Sequence, residues 1–210
     1  MRTAAIIPAY NEQETLRGVV DVLKGVPIIE EIIVVSDGST DRTPEVAREA
    51  GVRLVELTEN RGKGAAMKEG LRSTSAEVVL FLDADLIGLT TDHVYALLNP
   101  VLSGACQMSV GVFEGGRVAT DLAQVVAPYL SGQRALKAGI LADIDDLEVM
   151  RFGAEIALTR HCKRSGIEIS EVSLAGLTHR MKEEKMGLSR GLAARFRMYW
   201  EIVRSVQKGL

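Results

Sequence analysis

Short apolar runs that alternate with segments of helical spacing constrain the fold of this chain more than any other feature. Residues 3–8, 31–36 and 52–57 are brief and rich in Ile, Val or Leu, whereas residues 12–23, 42–50 and 63–73 carry apolar side chains at helical spacing. A fourth run, Val79-Leu80-Phe81-Leu82, follows them. The order βαβαβαβ predicts an α/β fold, a mostly parallel sheet with right-handed crossovers and helices on both faces. With 210 residues, 47% of them hydrophobic, and no Pro/Gly/Ser-rich linker, the chain reads as a single domain.

The fourth run ends abruptly at Asp83-Ala84-Asp85. Open α/β sheets bind ligands at the carboxyl ends of their strands, so these acids stand where a ligand would. If the chain stays extended they project to the same side. Such a pair suits a hard cation, Mg²⁺ or Mn²⁺, that also holds substrate phosphates; the alternative is two solvated turn acids. The net charge of −3 and pI near 5.7 supply no basic field, so no nucleic-acid partner is expected. Cys106 and Cys162 lack metal-site spacing and fit a reducing cytoplasm. No signal-peptide core opens the chain, and no run of about 18 apolar residues predicts a transmembrane segment.

The loops after the strands carry the chemistry. Pro8-Ala9-Tyr10-Asn11-Glu12 leaves the first strand, where the Tyr10 ring offers a stacking face for a planar base and Asn11 an alternative helix cap. Residues 36–43 follow the second strand, with Gly38 permitting a tight turn, Ser39, Thr40 or Asp41 able to cap the next helix, and Asp37 a candidate for base or ribose recognition. Asn60-Arg61-Gly62-Lys63-Gly64 precedes a helix starting near Ala65, a place that favours anions, with Lys63 adding charge toward the nucleotide. Neither a P-loop nor GxGxxG spacing is present, which argues against an ATPase and a dinucleotide dehydrogenase.

Taken in order, Pro8 to Glu12, residues 36–43, Gly62-Lys63-Gly64 and Asp83-Ala84-Asp85 resemble the nucleotide-sugar half of a family 2-like glycosyltransferase with the GT-A fold, whose sheet is Rossmann-like. The resemblance is strong over roughly the first 90 residues. It implies that Pro8 and Glu12 help hold the nucleoside, that the Asp37 region recognises base or ribose, and that Asp83 and Asp85 bind the metal on the diphosphate. The chain departs at Ser36, where many relatives have a second Asp, so either position of that pair is a candidate to face the nucleotide.

Beyond Asp85 the periodicity weakens. Residues 91–98 read as a helix capped by Thr90 or Thr91, residues 107–113 as a strand, residues 114–117 as its turn and residues 171–177 as a further strand. Ser131-Gly132-Gln133-Arg134 resembles an acceptor-side loop of relatives that include glucosyl-3-phosphoglycerate synthases, and a helix is expected directly after it. Gly132, Gln133 and Arg134 are accordingly acceptor candidates; the Arg134 fork can pair with an anion, the alternative being a solvated Arg on a capped helix. Phe152-Gly153-Ala154-Glu155 opens another helix, a position that favours a carboxylate. In similar enzymes this segment faces sugar and acceptor. Glu155 would be the base of an inverting transfer or would position sugar hydroxyls in a retaining one. The resemblance also implies that His179 completes the metal site, whereas His93 and His161 read as surface or boundary residues. Residues 188–210 form an amphipathic basic pattern that packs on the domain, joins a second subunit in a homodimer, or rests on an anionic membrane; packing is expected.

The expected protein is a metal-dependent hexosyltransferase with a nucleotide-sugar half near 1–90, an acceptor half near 91–187 and a C-terminal helix at 188–210. It would use a nucleoside diphosphate sugar, a UDP-sugar favoured, with Mg²⁺ or Mn²⁺ held by Asp85, Asp83 and His179, and Asp85 and Glu155 at the reacting bonds. The acceptor would be a hydroxyl or an anion: a small phosphorylated acid such as 3-phosphoglycerate, or a polyprenyl phosphate at a membrane surface. The expected location is cytoplasmic, with a peripheral membrane position as the variant. Rivals are a sugar-1-phosphate nucleotidyltransferase, whose glycine-rich Arg- and Lys-bearing loop is missing, and a non-catalytic nucleotide-sugar-binding protein.

Overall fold

A computed structural model describes residues 1–113, 131–142 and 154–179. The chain divides into two compact units, Met1–Thr178 and His179–Leu210. The first carries the main sheet and its helices, and of the second only His179 lies among the described residues.

Seven strands form one sheet in the order β3-β2-β1-β4-β7-β6-β8. β1 (Thr3–Ala9), β2 (Glu31–Asp37), β3 (Arg53–Leu57), β4 (Val78–Phe81), β6 (Met108–Phe113) and β8 (Ile169–Leu174) run one way, and β7 (Arg134–Lys137) runs against them. The central strands are apolar on both faces because helices cover both. On one side α1 (Leu16–Lys24), α2 (Thr43–Glu49) and α4 (Thr91–Leu102) bury Leu16, Val20, Ala47, Leu97 and Leu98 against Ala5, Ile7, Val34 and Leu80. On the other, α3 (Lys63–Arg72), α5 (Gly139–Ala142) and α6 (Ala154–Arg164) bury Ala66, Met67, Ile140 and Leu158 against Ile6, Ile33, Phe81 and Leu136. β5 (Leu86–Ile87) and β9 (Thr178–His179) are two short strands outside this sheet. The expected α/β order and mostly parallel sheet are what the chain forms.

Three local expectations need correction. α1 starts at Leu16, because Asn11 takes a left-handed φ of 56° and the Glu12 carbonyl accepts the N–H of Thr15 and Leu16, which makes residues 12–15 a turn. β4 ends at Phe81, so Asp83 and Asp85 stand on the turn beyond it and not on an extended strand. Residues 134–137, read as the start of a helix, are a strand. Ala, Leu and Lys favour a helix, but the open edge of β4 offers Phe81 to Arg134 and Val78 to Lys137, and ladder pairing with burial overrides propensity. The turn at 114–117 and the amphipathic pattern at 188–210 lie outside the described residues.

Candidate active site

The loops leaving β1 to β4 meet at the carboxyl edge of the sheet, and side chains lace them together. Asn11 Oδ1 accepts the N–H of Thr40 at 2.8 Å, and its own N–H reaches Ser39 Oγ at 3.2 Å. Glu12 N–H donates to Thr43 Oγ1 at 2.8 Å, and Gln13 exchanges hydrogen bonds with Asp41 and the N–H of Arg42. Asp41 also caps the start of α2 by accepting the Thr43 N–H at 2.9 Å. Pro8 is half-buried and Tyr10 is 46% exposed at the rim of this platform. These hydroxyl and amide partners carried no periodic signal of their own.

Asp37, expected to meet base or ribose, is 3% exposed. Its two oxygens accept the N–H groups of Arg61 and Gly62, each at 2.8 Å, and so hold the loop that begins α3. Gly38 is required beside it: its φ is +67°, and a Cβ there would stand 2.5 Å from the Asn60 nitrogen. The first residue of α3 is Lys63, so the pinned loop aims its ammonium.

Lys63 Nζ bridges Asp83 Oδ1 and Glu155 Oε1, the latter at 2.6 Å. Burial alone would lower its pKa, but the carboxylates of Asp83 and Glu155 outweigh that and hold it above the ordinary lysine range. Lys63 is therefore a fixed cation. Asp83 Oδ2 in turn accepts Gln133 Nε2 at 2.9 Å, and a Cβ on Gly132 would stand 2.5 Å from Lys63 Nζ. Ser131 orients Gln133, donating from Oγ to Oε1 at 3.0 Å.

Arg134, expected to offer a fork to an anionic acceptor, is turned into the fold and fully buried. Nε and Nη2 donate to the Ser131 carbonyl at 2.9 and 2.6 Å, and Nη1 donates to the Glu155 carbonyl and Thr159 Oγ1 at 3.1 and 3.0 Å. Burial pushes the guanidinium down to about 10, so it stays charged at neutral pH.

Asp83 and Asp85 each offer a carboxylate oxygen, and these lie within 4.8 Å of each other. Two half-buried carboxylates fit a Mn²⁺ or Mg²⁺ that leaves other positions for phosphate oxygens. His93, read as a boundary residue, caps α4: Nδ1 accepts the Thr90 N–H at 3.3 Å while Nε2 faces the Ala175 carbonyl at 3.1 Å. Among the described residues, no helix is long and apolar enough to cross a membrane.

A carboxylate pair beyond the fourth strand of a mostly parallel sheet, with an antiparallel strand bringing a second loop onto it, is an arrangement of the GT-A fold. Residues 4–158 match Glycosyl transferase family 2, and the chain belongs to that family. Glucosyl-3-phosphoglycerate synthase of Mycobacterium tuberculosis (strain ATCC 25618 / H37Rv) is 34% identical over 110 residues, 48% of this chain and 34% of that protein. Dolichyl-phosphate beta-glucosyltransferase of Drosophila melanogaster is 41% identical over 101 residues, 40% of this chain and 31% of that protein. The chain thus aligns with about a third of the length of these curated relatives. The crystal structure of the Mycobacterium tuberculosis synthase with Mn²⁺, UDP-glucose and phosphoglyceric acid superposes with a TM-score of 0.70 at 31% identity, covering 85% of this chain and 71% of that one.

Proposed function

We propose that this chain transfers a hexose from a UDP-sugar to a small phosphorylated hydroxy acid of the 3-phosphoglycerate kind, with Mn²⁺ or Mg²⁺ held by Asp85, Asp83 and His179. The observation that carries this is the convergence of the Asp83 and Asp85 carboxylates beside Lys63 and Glu155. The solved relative, which holds Mn²⁺, UDP-glucose and phosphoglyceric acid together, supports the choice of donor and acceptor.

The metal, when bound, would neutralise the departing diphosphate, where most charge develops. The remaining work falls to the chain. The Pro8 to Glu12 loop and the exposed Tyr10 ring hold the nucleoside, with Asp37 acting through the loop it fixes. Lys63 bridges Asp83 and Glu155 and orients both, so these two carboxylates accept hydrogen bonds from sugar hydroxyls. Held against the Lys63 ammonium at 2.6 Å, Glu155 is placed to position sugar hydroxyls in a retaining transfer, the alternative being the base of an inverting one. Gly132 and Gln133 close the acceptor side over Asp83.

The Drosophila melanogaster relative supports a second reading, in which a polyprenyl phosphate is the acceptor. Transfer assays pairing UDP-, GDP- and ADP-glucose with 3-phosphoglycerate or a short polyprenyl phosphate separate the two. We expect UDP-glucose and 3-phosphoglycerate to give turnover that a chelator or Asp85→Ala abolishes. Saturable donor binding with no transfer to either acceptor would leave a binding protein instead.

A further inference from the structure

Arg134 is a buried cation with no place in the donor contacts proposed above, and its hydrogen bonds close a circuit around them. From the Ser131 carbonyl the guanidinium reaches the Glu155 carbonyl, in the first turn of α6, where Thr159 Oγ1 also donates at 2.8 Å. From Ser131 Oγ the path runs through Gln133 to Asp83, and from Asp83 through Lys63 back to the Glu155 carboxylate. Within this set the charges of Lys63 and Arg134 balance those of Asp83 and Glu155. A planar fork satisfies a carbonyl on the loop and another on the helix in one fixed geometry, whereas a lysine brings a compact point charge on a flexible stem.

We propose that Arg134 is a positioning residue: by tying the Ser131 carbonyl to the first turn of α6, it sets where Gln133 and Glu155 stand around Asp83 and Lys63, and it does not meet the acceptor. The positioning is a property of this fold alone. Its effect on turnover rests on the proposed transferase reading.

Arg134→Lys and the more disruptive Arg134→Met test it, with circular dichroism reporting whether each folds. Amide hydrogen exchange should accelerate in the peptides covering residues 131–137 and 154–160 and stay unchanged in β1 to β3. Misplaced reacting groups cost on the order of 100-fold, so kcat for UDP-glucose and 3-phosphoglycerate should fall by about that much in Arg134→Lys. The KM for 3-phosphoglycerate and the affinity for UDP should stay within about threefold, since a lost orientation is not a lost binding contact. A raised KM for 3-phosphoglycerate at unchanged kcat would instead put Arg134 on the acceptor and overturn the proposal. Unchanged exchange in both peptides would overturn it as well. Should the unsubstituted protein transfer to no acceptor, the functional reading fails while the exchange experiment still decides the positioning.

Discussion

Gly132 shows how a single absent side chain shapes the site. A methyl group there would crowd Asp83 Oδ1, at 2.6 Å, and the Lys63 ammonium. Gly132→Ala is therefore expected to lower stability by about 1–3 kcal/mol through overpacking. It should also cut donor turnover by about 100-fold, because the carboxylate and ammonium must move apart. Thermal denaturation and a UDP-release assay check both, and an active, equally stable variant would mean the loop yields freely. Sequence made some of this residue chemistry legible. Asp83 and Asp85 stood out because an apolar run stops at them, and Lys63 because glycines flank it. The partners of Asp37 and Arg134 were not legible, since a charged side chain in a loop declares its charge but not what it meets. The first holds two backbone N–H groups and the second holds two backbone carbonyls.

Among the elements, those with a repeating pattern were readable and the one defined by its neighbours was not. The first four strands and three helices announced themselves by period, with ends shifted by a few residues. β7 did not, because its four residues are strand only by virtue of lying between β4 and β6. Two helical glycines show how neighbours decide at this scale. In α1, a Cβ on Gly18 would meet nothing within 4 Å, so Gly18→Ala should raise stability by about 0.5–1 kcal/mol. In α3, a Cβ on Gly70 would run into Ile6 Cγ2 and stand 3.2 Å from Val35 Cγ2. The same propensity gain is outweighed there, and Gly70→Ala should cost about 1–3 kcal/mol. Urea midpoints measured for both variants should move in opposite directions.

For the molecule as a whole, the two ends of the sheet do different work. The amino edge carries a structural hub: Glu31, opening β2, accepts the Thr74 hydroxyl at 2.6 Å and pairs with Arg53 at 2.7 Å. Burial pushes its carboxyl up, but Thr74 and Arg53 outweigh that and hold it below the usual glutamate range. A depressed carboxylate stabilises the fold fully above its unfolded value of 4.5 and loses that contribution as pH falls through the lower folded value. Glu31→Gln should therefore be less stable than the unsubstituted protein at pH 7, the gap closing in the acid range below 4.5; a gap that persists there would assign it to packing. The carboxyl edge carries the candidate site, and the reversed strand feeds it in its own way. β7 begins at that edge, with Arg134 beside Phe81 and Val110, so Gln133 enters the site just before the start of a strand, whereas Asp37 enters at the end of one. The place of Gln133 is therefore anchored by a ladder, and weakening the pairing of β7 with β4 would reach Asp83 through it.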